Sequence, residues 1–275
     1  MSRWFASRTL PSRQATYFLI YKSSPFRKGG LRGIFYILIM STLIFDIETI
    51  GESFDRLDST TQEILTRWIK KESYNDAEYQ TALEELKDGL GFSPLTGEIV
   101  AIGVLDAEKN QGVVYFQAPD EHFDEVTEDG VKLKQMTEKE MLENFWQGAG
   151  QYQEFVSFNG RGFDVPFLMV RSAIHGIRPS KDLMSNRYLS SQNYSAKHID
   201  LLDQLSFYGA VRRKGNLHLW CRAFGITSPK AEGISGDDVG RLFKEKKFQE
   251  IAKYNIGDLH ATKELYDYWQ KYFKF

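Results

Sequence analysis

The chain contains 275 residues, of which 42% are hydrophobic and 26% are charged, and its formal net charge is −2. This length allows one substantial core, or one core with an appendage, and the composition is ordinary for a globular protein. The single cysteine, Cys221, excludes an internal disulfide framework and fits a reducing compartment, so we expect a cytoplasmic protein.

The first 40 residues differ in charge from the remainder of the chain. They hold seven Lys and Arg and no acid, which leaves 28 basic against 37 acidic residues beyond them. A chain this acidic cannot bind nucleic acid through a broad basic face, so metal ions and a few local cations would have to receive phosphates.

Three interpretations of residues 1–40 remain open. The segment is rich in Arg and Ser, which is typical of an organelle-targeting peptide, but it also suits a basic nucleic-acid-binding arm. Alternatively it is a tail that is disordered or not translated, with Met40 as the true start. The apolar stretch 34–45 is too short to span a bilayer, so we expect no membrane association.

The first predicted elements are a strand and a pair of helices. Residues 43–47 are apolar and β-branched, which predicts a buried strand. After this strand the apolar period becomes helical, as the spacing of Ile64 and Trp68 illustrates. The pattern predicts helices over residues 60–71 and 76–90, which form a helical insertion over about residues 52–96.

The rest of the chain alternates strands and helices and then becomes helical. Thr137 opens a capping-box pattern, and two strands around a polar turn predict a hairpin. This order predicts an α/β fold in which helices cover a mixed β-sheet. The predicted strands cover residues 98–105, 112–117, 155–158 and 198–201, and the predicted helices cover residues 137–147, 165–176, 217–224, 236–245 and 248–272.

Four acidic residues and one tyrosine are the candidate functional residues. Asp46 and Glu48 lie at or just beyond the first strand, two residues apart, so their side chains leave the same face. Asp164 follows the strand 155–158, and Tyr254 precedes Asp258 by one helical turn. Buried carboxylates need a cation, and oxygen ligands without a Cys/His cluster favour Mg²⁺ or Mn²⁺. A pair of such ions is the apparatus of in-line phosphoryl displacement.

Each of these features alone has a structural explanation. Asp164 would serve equally well as the cap of the helix that follows it, and Tyr-x-x-x-Asp occurs by chance on many helices. Asp200 and His198 are interpreted as structural, the aspartate as a residue that holds a helix N-terminus or a basic side chain. Only the combination of the acids, in this order and on these elements, indicates a site.

Three motifs resemble those of the DEDD 3′–5′ exonucleases of the tyrosine subclass. They are Asp-Ile-Glu-Thr at residues 46–49, Asn-x-x-x-Phe-Asp at residues 159–164 and Tyr-x-x-x-Asp at residues 254–258. The wording is similar to that of stand-alone exonucleases related to the proofreading domain of family B DNA polymerases, over about residues 42–270. The resemblance implies an RNase H-like fold and one exonuclease domain over residues 41–275.

The resemblance also implies roles for the five candidate residues. Asp46, Glu48 and Asp258 would hold a catalytic ion, and Asp46 and Asp164 would hold a second one. Tyr254, helped by Glu48, would position the attacking water.

Substrate-binding roles follow from the same resemblance. The backbone at Thr49 and the side chain of Asn159 would line the seat of the 3′-terminal nucleotide. Arg161 and Lys230 would also bind the substrate. The histidine subclass is excluded, because the position five residues before Asp258 is occupied by a lysine.

The expected function is Mg²⁺- or Mn²⁺-dependent removal of nucleotides from a 3′ end, favouring single-stranded DNA and releasing nucleoside 5′-monophosphates. Three alternatives remain open. They are an RNA-trimming exonuclease of the RNase D type, a catalytically silent nucleic-acid-binding module, and a scaffold whose insertion recruits a replication or repair partner. The insertion itself departs from the family pattern, in which the second strand usually follows the first motif closely.

Overall fold

One mixed sheet of seven strands forms the centre of the part of the chain that this computed structural model describes, residues 41–228 and 235–274. The strand order is β4-β5-β3-β2-β1-β6-β7. β1 is antiparallel to β2 but parallel to β6, and β6 is parallel to β7, so the predicted mixed sheet is confirmed. The strands are β1 (Thr42–Gly51), β2 (Gly97–Asp106), β3 (Gln111–Phe116), β4 (Val126–Glu128), β5 (Val131–Gln135), β6 (Glu154–Ser157) and β7 (Lys197–Asp200).

Helices cover both faces of this sheet. On β1 the side chains alternate, so Phe45 packs with Phe145 of α3 on one face, while Ile44 belongs to the core that includes Leu259 of α8 on the other. Asp46 and Glu48 continue the series of Ile44 and therefore leave β1 toward α8. The α-helices are α1 (Ser59–Glu72), α2 (Asp76–Gly89), α3 (Glu138–Ala149), α4 (Asp164–Ile174), α5 (Leu201–Leu205), α6 (Leu217–Phe224), α7 (Val239–Lys244) and α8 (Phe248–Tyr272).

The structure corrects the sequence prediction at the ends of two strands. β1 does not end near Asp46 but continues to Gly51, because residues beyond Glu48 still pair with β2 after a register shift between Glu48 and Thr49. The last predicted strand ends at Asp200, and Leu201 begins α5 instead. The two acids of the first motif therefore lie inside a paired strand rather than in a loop.

β4 and β5 were not expected from the sequence. They form a hairpin whose turn residues, Asp129 and Gly130, have φ values of 49° and 80°. Both values lie in the left-handed region, which Asp-Gly turns adopt readily, so the dipeptide was a usable hairpin signal. The other predicted strands and helices are confirmed in place, with ends that differ by a few residues.

The residues between β1 and β2 contain α1 and α2, where the sequence predicted two helices. Asp58 caps α1 by accepting hydrogen bonds from the N–H groups of Thr60 and Thr61. Ile64 and Trp68, which showed the helical spacing, are 57% and 48% exposed. No helix in the described ranges has the length and hydropathy that crossing a bilayer requires, and residues 1–40 lie outside those ranges.

A buried carboxylate ties the helices on one face to the sheet. Glu138, at the start of α3, accepts hydrogen bonds from the N–H of Ile99 at 2.8 Å and from Arg171 at 2.8 and 2.7 Å. The Nε2 atom of His175 lies 2.7 Å from the same carboxylate. Burial alone would raise the pKa of Glu138, but these hydrogen bonds and the charge of Arg171 outweigh it and hold the pKa below its usual range.

Replacing Glu138 tests this network. Because the pKa of Glu138 is lowered in the folded state, its contribution to stability is present above the unfolded pKa of about 4.3 and is lost as the pH falls further. We expect Glu138→Gln to lower the free energy of unfolding by about 3 kcal/mol at pH 7 and by much less near pH 3.5. Urea unfolding at both pH values, with the exposed Glu143→Gln as control, measures this; an equal loss at both would contradict it.

Candidate active site

Three carboxylates meet between β1 and α8. Asp46 and Glu48 come from β1 and Asp258 from α8, and one oxygen of each lies within 4.8 Å of the others. Glu48 and Asp258 are buried, and Asp46 is partly buried. The period of two on the strand and the packing of α8 across the sheet produce this cluster, which we call the carboxylate cluster.

The carboxylate cluster concentrates negative charge. Burial, followed by the charges of Asp258, Asp164 and Glu48, raises the pKa of Asp46 well above its ordinary value. Burial and the charge of Asp258 do the same to the pKa of Glu48. The donor atoms are all carboxylate oxygens, which are the ligands that hard divalent cations prefer. The residues present therefore fit a divalent cation, which would relieve this repulsion.

Asn255 is part of this site, although the sequence did not reveal its role. Its Nδ2 donates to Asp46 Oδ2 at 2.8 Å and lies 3.4 Å from Glu48 Oε1. The side chain is fully buried, and its Oδ1 has no hydrogen-bond partner among the described residues. That oxygen lies against Gly103, which pairs with Asp46 across the sheet, and a Cβ at Gly103 would stand 1.9 Å from it. Only glycine at this position leaves room for the amide.

Asp164 lies beside the carboxylate cluster but outside the set of three. It is buried at the start of α4, and its Oδ1 accepts a hydrogen bond from the N–H of Ile47 at 3.1 Å. Burial, with the charges of Asp200 and Asp258 adding to it, raises the pKa of Asp164 to about 7. The contact with Ile47 fixes the second motif directly against the strand that carries the first.

Tyr254 stands one helical turn before Asp258 and forms a side-chain hydrogen bond with it. Burial and the charges of Asp258, Glu48 and Asp46 raise the pKa of the phenol far above its ordinary value. The phenol therefore stays protonated at neutral pH and remains a hydrogen-bond donor beside the carboxylates.

The loop before Asp164 is held by Asp200. The backbone N–H groups of Asn159 and Arg161 each donate to Asp200 at 3.0 Å, and the same carboxylate caps α5 through the N–H of Leu202. Asn159 has a φ of 63°, a left-handed conformation that asparagine tolerates better than most residues. The structural interpretation of Asp200 is therefore confirmed.

The other expected substrate-binding residues differ in how far their side chains are already engaged. Thr49 Oγ1 donates to the carbonyl of Gly91 at 2.7 Å. The guanidinium of Arg161 donates to the carbonyls of Leu183 and Met184, both at 3.2 Å. Lys230 lies outside the described residues.

His198 is a packed side chain, as expected. Its ring contacts Ser157 Oγ at 2.8 Å and the carbonyl of Leu183 at 3.1 Å. Burial lowers the pKa of His198 to about 3, so the ring is neutral at physiological pH. It plays no part in the carboxylate cluster.

Comparison with known proteins gives a match to a family model over residues 96–272. The model describes a predicted 3′–5′ exonuclease related to the exonuclease domain of PolB. The matched residues include Asp164, Tyr254 and Asp258, whereas β1, with Asp46 and Glu48, precedes them.

Two curated DNA polymerases are similar to the chain. DNA polymerase 1 of Saccharolobus solfataricus is 23% identical over 239 residues, which are 80% of this chain and 26% of the polymerase. The DNA polymerase epsilon catalytic polypeptide of Arabidopsis thaliana is 27% identical over 203 residues, which are 70% of this chain and 9% of that relative. The chain thus spans about a quarter or less of the length of these relatives.

Among solved structures, the family B DNA polymerase from the hyperthermophilic archaeon Pyrobaculum calidifontis matches with a TM-score of 0.51. The match covers 86% of this chain and 25% of the polymerase at 15% identity, so it concerns the fold. Together with the helix-covered mixed sheet, it confirms the RNase H-like α/β fold that the sequence predicted.

Asn255→Ala tests whether this amide orients the cluster for a cation. Loss of its hydrogen bonds frees Asp46 and Glu48 to rotate, and outer-shell partners of this kind typically contribute about 10-fold to metal affinity. We expect the Kd for Mn²⁺, measured by isothermal titration calorimetry, to rise by about that factor.

Asn144→Ala is the matched control, because its amide donates to a carbonyl on α3 away from the site. Thermal melting in EDTA separates the effect on metal binding from an effect on folding. An unchanged Kd in a cooperatively folding Asn255→Ala protein would contradict the assignment.

Proposed function

The chain belongs to the family of predicted 3′–5′ exonucleases related to the exonuclease domain of PolB, and on this basis we propose that it removes nucleotides from the 3′ end of nucleic acid. The proposed substrate is preferentially single-stranded DNA, and the proposed products are nucleoside 5′-monophosphates. The meeting of Asp46, Glu48 and Asp258 in one carboxylate cluster is the observation that supports the proposal most strongly.

The proposed cofactor is a pair of Mg²⁺ or Mn²⁺ ions. Asp46, Glu48 and Asp258 would hold one ion, and Asp46 together with Asp164 would hold the other. When bound, such ions lower the pKa of a water molecule and stabilise the charge that develops on the leaving oxygen. Their attraction also offsets the repulsion that raises the pKa of Asp46 and Glu48.

Tyr254 is proposed to orient the attacking water, with help from Glu48. The raised pKa keeps its phenol protonated, and the hydrogen bond with Asp258 fixes its position at the cluster. A fixed neutral donor can hold a water oxygen in place without competing for the cation.

The proposed seat of the 3′-terminal nucleotide lies between the first and second motifs. The Thr49 backbone and the Asn159 side chain would line it, and Arg161 and Lys230 would bind phosphate oxygens. Arg161 has five N–H donors, and its contacts with two carbonyls leave others for a phosphate. We further propose a cytoplasmic location, and residues 52–96 as the contact for a replication or repair partner.

Substitution of the carboxylates tests the activity. We expect Asp258→Asn or Asp46→Ala to reduce Mg²⁺-dependent release of nucleotides from a 3′-labelled oligonucleotide by at least about 1,000-fold, because each removes a ligand charge from the cluster. Asp267→Asn, an exposed change on the same helix that only breaks a pair with Lys263, is the control. Full activity in a purified Asp258→Asn protein would contradict the mechanism.

Tyr254→Phe separates water orientation from metal binding. Removal of the hydroxyl deletes one donor but no carboxylate, so we expect kcat to fall by about 10- to 100-fold. The Kd for Mn²⁺ should stay within about 2-fold of the wild-type value, since tyrosine is absent from the proposed ligand set. A large loss of metal affinity with kcat unchanged would contradict this role.

A comparison of substrates tests the preferred strand. Matched single-stranded DNA, single-stranded RNA and mismatched duplex should be supplied at one salt concentration, because phosphate contacts depend on salt. We expect the highest kcat/KM for single-stranded DNA. Faster release from RNA would assign the chain to RNA trimming, and no release from any strand would reduce it to a binding module.

A further inference from the structure

The end of the helical insertion is fixed against the strand that carries Glu48. Leu90–Phe92 forms a 3₁₀ turn in which Leu90 and Gly91 are buried, and the Gly91 carbonyl accepts the hydrogen bond of Thr49. The backbones of Gly51 and Gly91 approach so closely that a Cβ at Gly51 would stand 2.8 Å from the Gly91 nitrogen. This turn is therefore a rigid neighbour of the carboxylate cluster.

Phe92, the last residue of this turn, exposes a large apolar side chain. It is 61% exposed, although the two residues before it are buried. Its ring meets that of Phe163 edge-on, with centroids 6.4 Å apart, and Phe163 in turn packs on Phe167 at 5.0 Å. Phe163 immediately precedes Asp164, so Phe92 stands at the rim of the proposed site.

The position of Phe92 determines which occupant suits it. One neighbour in space, Thr49, follows Glu48 directly, and the other, Phe163, precedes Asp164. A strand whose 3′ end reaches these carboxylates must pass this ring. Nucleic-acid bases stack on aromatic side chains, and they do so with little sequence preference because every base has a π face.

We propose that Phe92 stacks against the terminal unpaired base of a strand held in the carboxylate cluster. The inference rests on the proposed exonuclease function and extends it, because it assigns part of the substrate seat to the insertion. It makes recognition depend on an unpaired base and not on base identity, since a paired base is already stacked within its duplex.

An oligodeoxynucleotide with 2-aminopurine as its 3′-terminal base tests this directly. A phosphorothioate at the last linkage slows hydrolysis, so binding can be followed in Mg²⁺ through the fluorescence quenching that accompanies stacking. We expect wild-type protein to quench the probe and Phe92→Ala to raise its Kd about 10-fold with weaker quenching. A second oligonucleotide with an abasic 3′ end should bind both proteins with Kd values within about 2-fold.

Two variants serve as controls. Phe92→Tyr keeps the ring and should keep both the affinity and the quenching. Tyr74→Ala removes another exposed aromatic residue of the insertion, 96% exposed between α1 and α2, and should change neither. Equal loss of affinity for the intact and the abasic strand in Phe92→Ala would overturn the stacking role, as would an absence of quenching by wild-type protein.

The failure of this inference is distinguishable from the failure of the proposed function. If wild-type protein releases 3′ nucleotides and Phe92→Ala binds the probe normally, only the inference is wrong. If wild-type protein releases nothing in Mg²⁺ or Mn²⁺, the proposed function is wrong whatever Phe92 does. Selective loss of binding to the 2-aminopurine strand, with release intact in wild-type protein, supports both.

Discussion

The crowding of Asp46, Glu48 and Asp258 is the interaction on which the rest of the site depends. Three carboxylates within 4.8 Å repel one another, and burial makes that repulsion stronger. The fold keeps them together because β1 and α8 belong to one core, where apolar residues such as Ile44 and Leu259 stabilise the packing. Folding therefore supplies the free energy that holds the charges in place, and a divalent cation would recover part of it.

The topology of the sheet brings the remaining site residues to the same place. β1, β6 and β7 are parallel, so their carboxyl ends lie at one edge. The loop after β6 and the start of α5 after β7 both reach Asp200, which fixes the backbone of Asn159. The contact of Asp164 with the Ile47 N–H then joins this loop to β1. Each connection uses a carboxylate to hold backbone, which leaves the cluster itself free for a ligand.

Local patterns made much of this predictable from the sequence. Alternation on β1 and the one-turn spacing of Tyr254 and Asp258 depend only on strand and helix periods. The role of Asn255 depends on Gly103, a glycine on a different strand about 150 residues away, and nothing in the local sequence reveals that contact. Phe92 was missed for the same reason, because its meaning comes from Phe163 and Thr49, which only the folded chain brings near.

The central claim is that Asp46, Glu48 and Asp258 together hold a divalent cation. Anomalous diffraction from crystals of the protein grown with Mn²⁺ tests it most directly, because the signal identifies the ion as well as its position. The account predicts a manganese peak about 2.1–2.2 Å from an oxygen of each of the three carboxylates, close to the distance that small divalent ions take to oxygen. A fully ordered site without a peak there, or with Mn²⁺ bound only elsewhere on the molecule, would contradict it.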